Sequence, residues 1–330
     1  MSDLTRTQHY STNELLLDGL KNFIPENSYI IEPFYGRGDL VKDFNISEYY
    51  DIAFDTDNPH YRDTLLSPPD YKDKYIITNP PYLAKNKAKD KTYFNLYLYD
   101  DLYKIALSTF SAAKGGILVI PLNFFTDERS AAIRNKFLSE FSVKRLNVYL
   151  DAMFSNTDYN VCSFYFESAA AGSENIIPVY IYQNGTVITQ GDIGLAQEYS
   201  YRLGGEFFFK LKKQKALFSR ITEKNRDNPT HINIICIDKV GEPLHFYYSD
   251  EVYYGKESDR NLATLSSTLE LNKELELQLI EKANFIINEF RCSTYNLPLT
   301  NFRDRSRKRI GFTEAYKILS LAYEIIKSKS

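Results

Sequence analysis

Asn79, Pro80, Pro81 and Tyr82 follow directly on the apolar run KYIIT at 74–78. Consecutive prolines have no N–H to donate, fix φ near −65° and bar the preceding residue from the helical region. A strand ends there, and the chain beyond it is rigid and extended. In an open α/β sheet that carboxyl edge is where ligands bind. There Asn79 presents an amide oxygen, Pro80 a backbone carbonyl that no turn consumes, and Tyr82 a flat face. Two convergent acceptors beside an aromatic ring suit a planar base bearing an exocyclic NH2.

From residue 29 to about 167 short apolar runs alternate with longer amphipathic stretches, the pattern of strands and helices wound into a largely parallel sheet. YIIEPF, YYDIAFD, KYIITNPP, GGILVIPL, KRLNVYL and VCSFYFE read as strands. The stretch at 95–113 places Leu98, Leu102, Ile105, Ala106 and Thr109 at helical spacing, and DERSAAIRNKFLSEF reads as a second helix. An α/β domain is expected over 1–170, with the small polar stretch SAAAGSEN at 168–175 as linker. Beyond it, IIPVYIYQNGTVIT, INIICI and LHFYYSDEVYY read as strands and 269–291 and 313–327 as helices, so 171–330 is expected to be a mixed α+β domain.

Composition removes several function classes. The 330 residues are 43% apolar and 25% charged, with a mean hydropathy of −0.39, the profile of an ordinary globular chain. No apolar run approaches the roughly 18 residues that span a bilayer. The N-terminus lacks the charged and apolar regions of a secretory signal, so a cytoplasmic location is expected. Cys162, Cys236 and Cys292 are too dispersed for a disulfide framework or a structural zinc site, and read as buried apolar residues. His9, His60, His231 and His245 form no metal-ligating pair, so no metal is expected. Charge is uneven. Residues 1–170 hold 18 Lys and Arg against 23 Asp and Glu, and residues 171–330 hold 22 against 20. Basic residues cluster at Lys210, Lys212, Lys213 and Lys215 and again at Arg303, Arg305, Arg307, Lys308 and Arg309, as a polyanionic partner would require.

The second chemical signal is YIIEPFYGRGDLV at 29–41, where a strand runs through Glu32 and Pro33 into Gly36 and Gly38. Glycines there allow a tight turn and close approach of a ligand. Asp55 ends the next strand-like run, 23 residues after Glu32, about the interval at which an acidic side chain meets ribose hydroxyls in a dinucleotide-type fold. Neither the complete G-x-G-x-x-G fingerprint nor a G-x-x-x-x-G-K-[ST] loop is present. A nucleoside-like cofactor without a pyrophosphate fits better than NAD or ATP. Asp63 is placed to accept a bond from an adenine amino group, or to serve as an ordinary loop aspartate.

EPFYGRGDL, followed 47 residues after Glu32 by NPPY, resembles the S-adenosylmethionine-dependent amino-methyltransferases, most closely the DNA adenine-N6 methyltransferases of type II restriction-modification systems with the gamma order of motifs. The resemblance covers about 8–167. It implies a Rossmann-like, seven-stranded methyltransferase sheet in a catalytic domain at 1–170 and a DNA target-recognition domain at 171–330. Cofactor contacts are implied for Glu32, Pro33, Gly36, Gly38, Asp55, Asp63 and Pro81. Ser11, in HYSTNELLLDGL, stands at the Thr position of the family's Y-T-P-x-x-[LV] motif, although Thr12 and Asn13 depart from it.

On the substrate side the resemblance implies that Asn79 and Pro80 accept the two amino hydrogens of a flipped-out adenine while Tyr82 stacks on it. A second aromatic contact is expected from Phe154 or Tyr159. Phosphate contacts are expected from Lys85, Lys87, Lys89 and Lys91, and from Arg305, Arg307, Lys308 and Arg309. Double-stranded DNA is the implied partner, together with a restriction endonuclease acting on the same site. RNA, a protein glutamine or cytosine-N4 would suit the same tetrapeptide, and a non-catalytic nucleic-acid-binding relative would keep the fold alone.

Overall fold

The computed structural model describes residues 14–154, 160–169, 175–239, 241–301 and 304–328. The chain divides into two compact units, Met1–Leu203 and Gly204–Ser330.

The first unit is built on eight strands: β1 (Ile30–Glu32), β2 (Glu48–Tyr49), β3 (Tyr75–Thr78), β4 (Gly115–Pro121), β5 (Phe141–Tyr149), β6 (Val161–Ser168), β7 (Asn175–Gln183) and β8 (Thr186–Leu195). Their order in the sheet is β2-β1-β3-β4-β6-β5-β7-β8. The first four neighbours are mutually parallel, β6 runs antiparallel between β4 and β5, β7 is parallel to β5, and β8 closes an antiparallel hairpin on β7. All seven residues of β4 are buried, as expected of a strand covered on both faces. Helices α1 (Thr92–Leu96), α2 (Leu102–Leu107), α3 (Asn123–Thr126) and α4 (Ala131–Glu140) occupy the connections.

Three expectations change. The unit does not stop at residue 170, because IIPVYIY buries Ile177, Val179, Ile181 and Tyr182 against the sheet as β7. Asn184 and Gly185, both at positive φ, then turn the chain into β8, and the sheet counts eight strands rather than seven. The unit ends at Leu203. The single helix expected over 95–113 is broken as well. Residues 100–102 pair back on 83–85, through Leu102 N to Leu83 O (3.2 Å) and Lys85 N to Asp100 O (2.8 Å). Asp101 is therefore extended, and α2 begins only after it. Tertiary pairing has overridden helical periodicity.

The close seating of β4 on β3 depends on Gly116, whose φ is +156°. A Cβ at that position would stand 1.9 Å from the Ile76 carbonyl oxygen, a backbone atom with nowhere to go.

The second unit carries a four-stranded antiparallel sheet, order β11-β10-β12-β9, from β9 (Phe218–Arg220), β10 (Pro229–Ile235), β11 (His245–Tyr248) and β12 (Leu262–Ser267). A small ribbon, β13 (Thr300–Asn301) with β14 (Asp304–Lys308), and helices α5 (Gly205–Lys213), α6 (Lys273–Ser293) and α7 (Phe312–Lys327) complete it. Leu279, Ala283 and Ile287 recur at one face of α6 and pack with Ile318, Leu319 and Ala322 of α7 over Ile232, Ile234, Phe246 and Leu265. The Asn272 side chain caps α6 by accepting from Leu275 N at 2.9 Å. Cys162 and Cys236 are buried, but Cys292 is exposed. Among the described residues no helix is long and apolar enough to cross a membrane.

Substituting Gly116→Ala is expected to cost about 3 kcal/mol or more of unfolding free energy, the scale of a severe backbone conflict. Urea denaturation of the purified chain measures it, and a change within about 0.5 kcal/mol, that of an ordinary surface substitution, would contradict the packing of β3 on β4.

Candidate functional site

β1 lies between β2 and β3, so the chain leaves β1 toward one side of the sheet and returns on the other. The loops that follow β1 and β3 diverge at that switch point, the place where an open α/β sheet offers a crevice at its carboxyl edge. The glycine loop follows β1 and Asn79–Tyr82 follows β3, so both sequence signals flank one crevice.

Glu32 ties these two walls together. Its Oε1 accepts from Thr78 Oγ1 at 2.5 Å and from the Phe34 amide at 2.9 Å. Burial pushes its carboxyl up from the ordinary 4.5 to about 8, against the lowering effect of those two bonds, and the nearby Asp51 adds to the rise. At neutral pH the neutral acid predominates.

Asp51, which the sequence reading passed over, holds the glycine loop from the other side. Only 2% exposed, it accepts from Gly36 N on Oδ2 (2.6 Å) and from Ala53 N on Oδ1 (2.7 Å). β2 is only two residues long, so the buried carboxylate following it is Asp51, while Asp55 stands exposed four residues on. Gly36 and Gly38 are at φ +57° and +76°. What lies closest to Gly38 is the chain's own Tyr35 ring, 2.5 Å from where a Cβ would be, so this glycine accommodates Tyr35. The Tyr35 ring packs at 4.4 Å on Tyr49, which stacks at 3.8 Å on His60. The Pro33 carbonyl accepts from Thr64 Oγ1 at 3.0 Å. Asp63 is committed to local structure: Oδ1 accepts from the Leu65 and Leu66 amides, and Oδ2 from the Tyr93 hydroxyl at 2.8 Å.

Past β3, Pro80 and Pro81 are buried and Asn79 is partly exposed. Tyr82 does not offer the exposed face expected of it. It is 2% exposed, set edge-on to Tyr103 and Phe154 with centroids at 6.2 and 6.5 Å. Its hydroxyl lies within reach of two acceptors, Asn79 Oδ1 at 2.5 Å and the Val119 carbonyl of β4 at 2.7 Å, with one proton to give, and burial raises it well above the usual phenol range. Phe154, 5% exposed, also packs in the core. The segment after Tyr82 is clamped by Asp101, a second residue the sequence reading missed, whose Oδ1 accepts from Leu83 N at 3.1 Å. Burial pushes that carboxyl up to about 7, opposed by the charge of Lys104. Lys85, Lys87 and Lys89 are exposed, whereas Lys91 donates to the Lys85 and Ala88 carbonyls and so shapes the loop itself. Ser11 and Tyr159 lie outside the described residues.

Of the C-terminal basic residues, Arg307 is exposed on β14 and the backbone of Arg305 belongs to the same strand. Lys308 is not an open phosphate contact, since burial lowers its ammonium to about 8 near Arg291 and Asp238, which form a two-bond pair at 2.8 and 2.9 Å. Arg309 is half-buried and bridges to Ile237. A cleft of about 560 Å³ in the first unit, lined by Asn27, Tyr29, Ile30 and Ser47 among others, opens at the amino end of β1, the edge opposite to the crevice.

No family model matches the chain, and no curated protein matches it. Among solved structures it resembles the type I restriction-modification methyltransferase subunit of Streptococcus thermophilus, at 14% identity and a TM-score of 0.40 over 55% of this chain and 50% of that one. It also resembles the M protein of the type I restriction enzyme EcoKI (11%, TM-score 0.37, 86% and 70%) and the type IIG restriction endonuclease BpuSI (12%, 0.42, 66% and 37%). The chain spans about half the length or less of several of these structures. With TM-scores below 0.5, these similarities assign neither a family nor an activity.

A carboxyl held neutral by folding takes up a proton when the chain folds between its two pKa values. Glu32 thus makes stability fall as pH rises from about 4.5 to about 8 and leaves it level above. Gln at this position keeps an oxygen for Thr78 and Phe34 but cannot ionise. Urea unfolding at a series of pH values between about 5 and 8 should show the wild type losing more stability than Glu32→Gln. Parallel curves would contradict the buried, neutral carboxyl.

Proposed function

We propose that this chain is an S-adenosylmethionine-dependent DNA methyltransferase that modifies the N6 amino group of adenine, working within a restriction-modification system. The observation that carries the reading is the pairing of Glu32–Gly38 with Asn79–Tyr82 across one switch-point crevice. The residues fit the cofactor. Gly36 and Gly38 turn the backbone in conformations that side chains rarely adopt, and Asp51 braces the loop from behind through the Gly36 amide. Glu32, Pro33, Gly36, Gly38 and Pro81 would line the cofactor side, with exposed Asp55 at its outer end. When bound, S-adenosylmethionine supplies an electrophilic methyl group on a positively charged sulfur.

The chain's own work is orientation. An adenine amino nitrogen is a poor nucleophile because its lone pair is delocalised into the ring. Accepting its two N–H bonds at the Asn79 amide oxygen and the Pro80 carbonyl favours a tetrahedral nitrogen with its lone pair aimed at the crevice. An amide oxygen has two lone pairs, so Asn79 can accept from the base while keeping a contact with Tyr82. No general base is needed before transfer, and the proton leaves the product amine for solvent. The target atom is inaccessible in a stacked duplex, so the base must be flipped out.

The charge distribution supports a division of labour between the units. Met1–Leu203 carries 19 Lys and Arg against 26 Asp and Glu, and Gly204–Ser330 carries 21 against 17. A polyanion is favoured by the second unit, whose exposed lysines near the end of α5 and Arg307 on β14 suit phosphates. A cleft of about 230 Å³ there, lined by Asn225, Asn228, Ser266 and Thr268 beside Leu217 and Phe218, offers amides and hydroxyls for base edges.

Replacing Asn79 by Ala is expected to leave S-adenosylmethionine affinity nearly unchanged and to lower turnover by about 100-fold or more, as loss of one oriented transition-state partner does. Calorimetric titration and labelled methyl transfer measure the two. Unchanged turnover would remove Asn79 from the chemistry.

A further inference from the structure

The chain between Leu83 and Leu102 folds as a small lobe that starts directly after Tyr82, closed at its neck by Leu102 N to Leu83 O (3.2 Å) and Lys85 N to Asp100 O (2.8 Å). Its helix α1 is anchored on one side. The Tyr93 hydroxyl donates to Asp63 Oδ2 at 2.8 Å, the Tyr97 hydroxyl donates to the Leu65 carbonyl at 2.9 Å, and Phe94 is buried. Tyr97 ends the helix in extended backbone, φ −125° and ψ 144°, where successive side chains point to opposite sides. With Tyr97 held inward, Leu98 is turned out: it is fully exposed, and Leu96 is 64% exposed. One exposed leucine is ordinary on a protein surface, but these two stand on the lobe that also carries the exposed Lys85, Lys87 and Lys89. Three residues of extended chain span at most about 10 Å, so the Leu98 Cα stays within that reach of the Cα of Asp101, whose carboxyl clamps Leu83 beside Tyr82.

We propose that Leu98, with Leu96 beside it in the chain, is an apolar wedge that enters the duplex where the target base leaves the stack, while the lysines of the same lobe hold the flanking phosphates. This deepens the reading of the chain as a methyltransferase of a flipped-out adenine and rests on it. Expelling a base costs its stacking and pairing and leaves a gap beside the orphaned partner. Leucine is among the apolar side chains that proteins insert between base steps. A wedge has to be carried stiffly, and the closed neck with the Tyr93 and Tyr97 anchors supplies that. It also has to gain by entering. Leu98 is fully hydrated in the free protein, so its removal from water favours the opened duplex alone. The lysine charges act on any sequence alike, so the lobe needs no base readout of its own.

Leu98→Ala removes the wedge and Leu98→Phe keeps an apolar one, both at an exposed position where folding is little affected. Labelled methyl transfer by the wild type to unmethylated genomic DNA, followed by mapping, supplies the modified site. Duplexes of that site then carry at the target position either adenine or a fluorescent adenine analogue that brightens on leaving the stack. At saturating DNA and S-adenosylmethionine, Leu98→Ala is expected to lower kcat by about 10-fold, the scale of truncating one leucine that becomes buried, and to lose most of the fluorescence rise. Leu98→Phe is expected to keep both, and cofactor affinity to stay unchanged in each variant. An undiminished rise in Leu98→Ala would overturn the wedge, as would the absence of any rise in the wild type, because a base that stays stacked leaves no gap to fill. A wild-type chain that binds S-adenosylmethionine but transfers nothing to DNA would overturn the methyltransferase reading itself, and this role with it.

Discussion

At the carboxyl edge of the first unit's sheet the hydroxyl of Thr78 reaches across from β3 to the carboxyl of Glu32 on β1. The two strands are parallel neighbours, so their ends would lie close in any case. The bond fixes how the chain departs from each. From Glu32 it must turn through Pro33 into the glycine loop, and from Thr78 it enters Asn79 and two prolines. The placing of the glycine loop and Asn79–Tyr82 on either side of the switch point depends on that shared starting point, and Glu32 accepts from the Phe34 amide as well, so the turn is specified by the same oxygen.

Buried and half-buried acids act as anchors throughout this edge. Glu32 fixes the start of the glycine loop, Asp51 its middle through Gly36, and Asp101 the segment beyond Tyr82. A carboxylate out of water is costly unless it is neutralised or given hydrogen bonds. Glu32 and Asp101 are raised, to about 8 and about 7, so much of the cost is met by retaining a proton near neutral pH. Asp51 is given two backbone amides. Backbone held this way keeps its shape without a ligand, which suits chemistry that depends on orientation.

Much of this was legible in the sequence because its signals are covalent or local. Pro80 and Pro81 can only end a strand, and Gly36 and Gly38 do adopt positive φ. The helices α4, α6 and α7 fall in stretches that read as helical. What was not legible depends on pairing between distant segments. No local pattern shows that 83–85 will pair with 100–102 and interrupt a helix, or that IIPVYIY will join the first sheet and carry the unit boundary to Leu203. YYDIAFD reads as a longer strand than the two residues that form, so the buried carboxyl just past β2 is Asp51, while Asp55 is exposed. Tyr82 and Phe154 were assigned faces for stacking, and whether an aromatic ring faces a crevice or the core is decided by neighbours such as Tyr103 that lie far along the chain.

The most direct test of the central claim is transfer of labelled methyl from S-adenosylmethionine to unmethylated genomic DNA, with total RNA and protein extract as parallel acceptors, followed by nucleoside and amino-acid analysis. The crevice with Asn79 and Pro80 on one wall predicts label in DNA, recovered as N6-methyladenine. Label confined to RNA or protein, or recovered from DNA as another methylated base, would contradict that assignment.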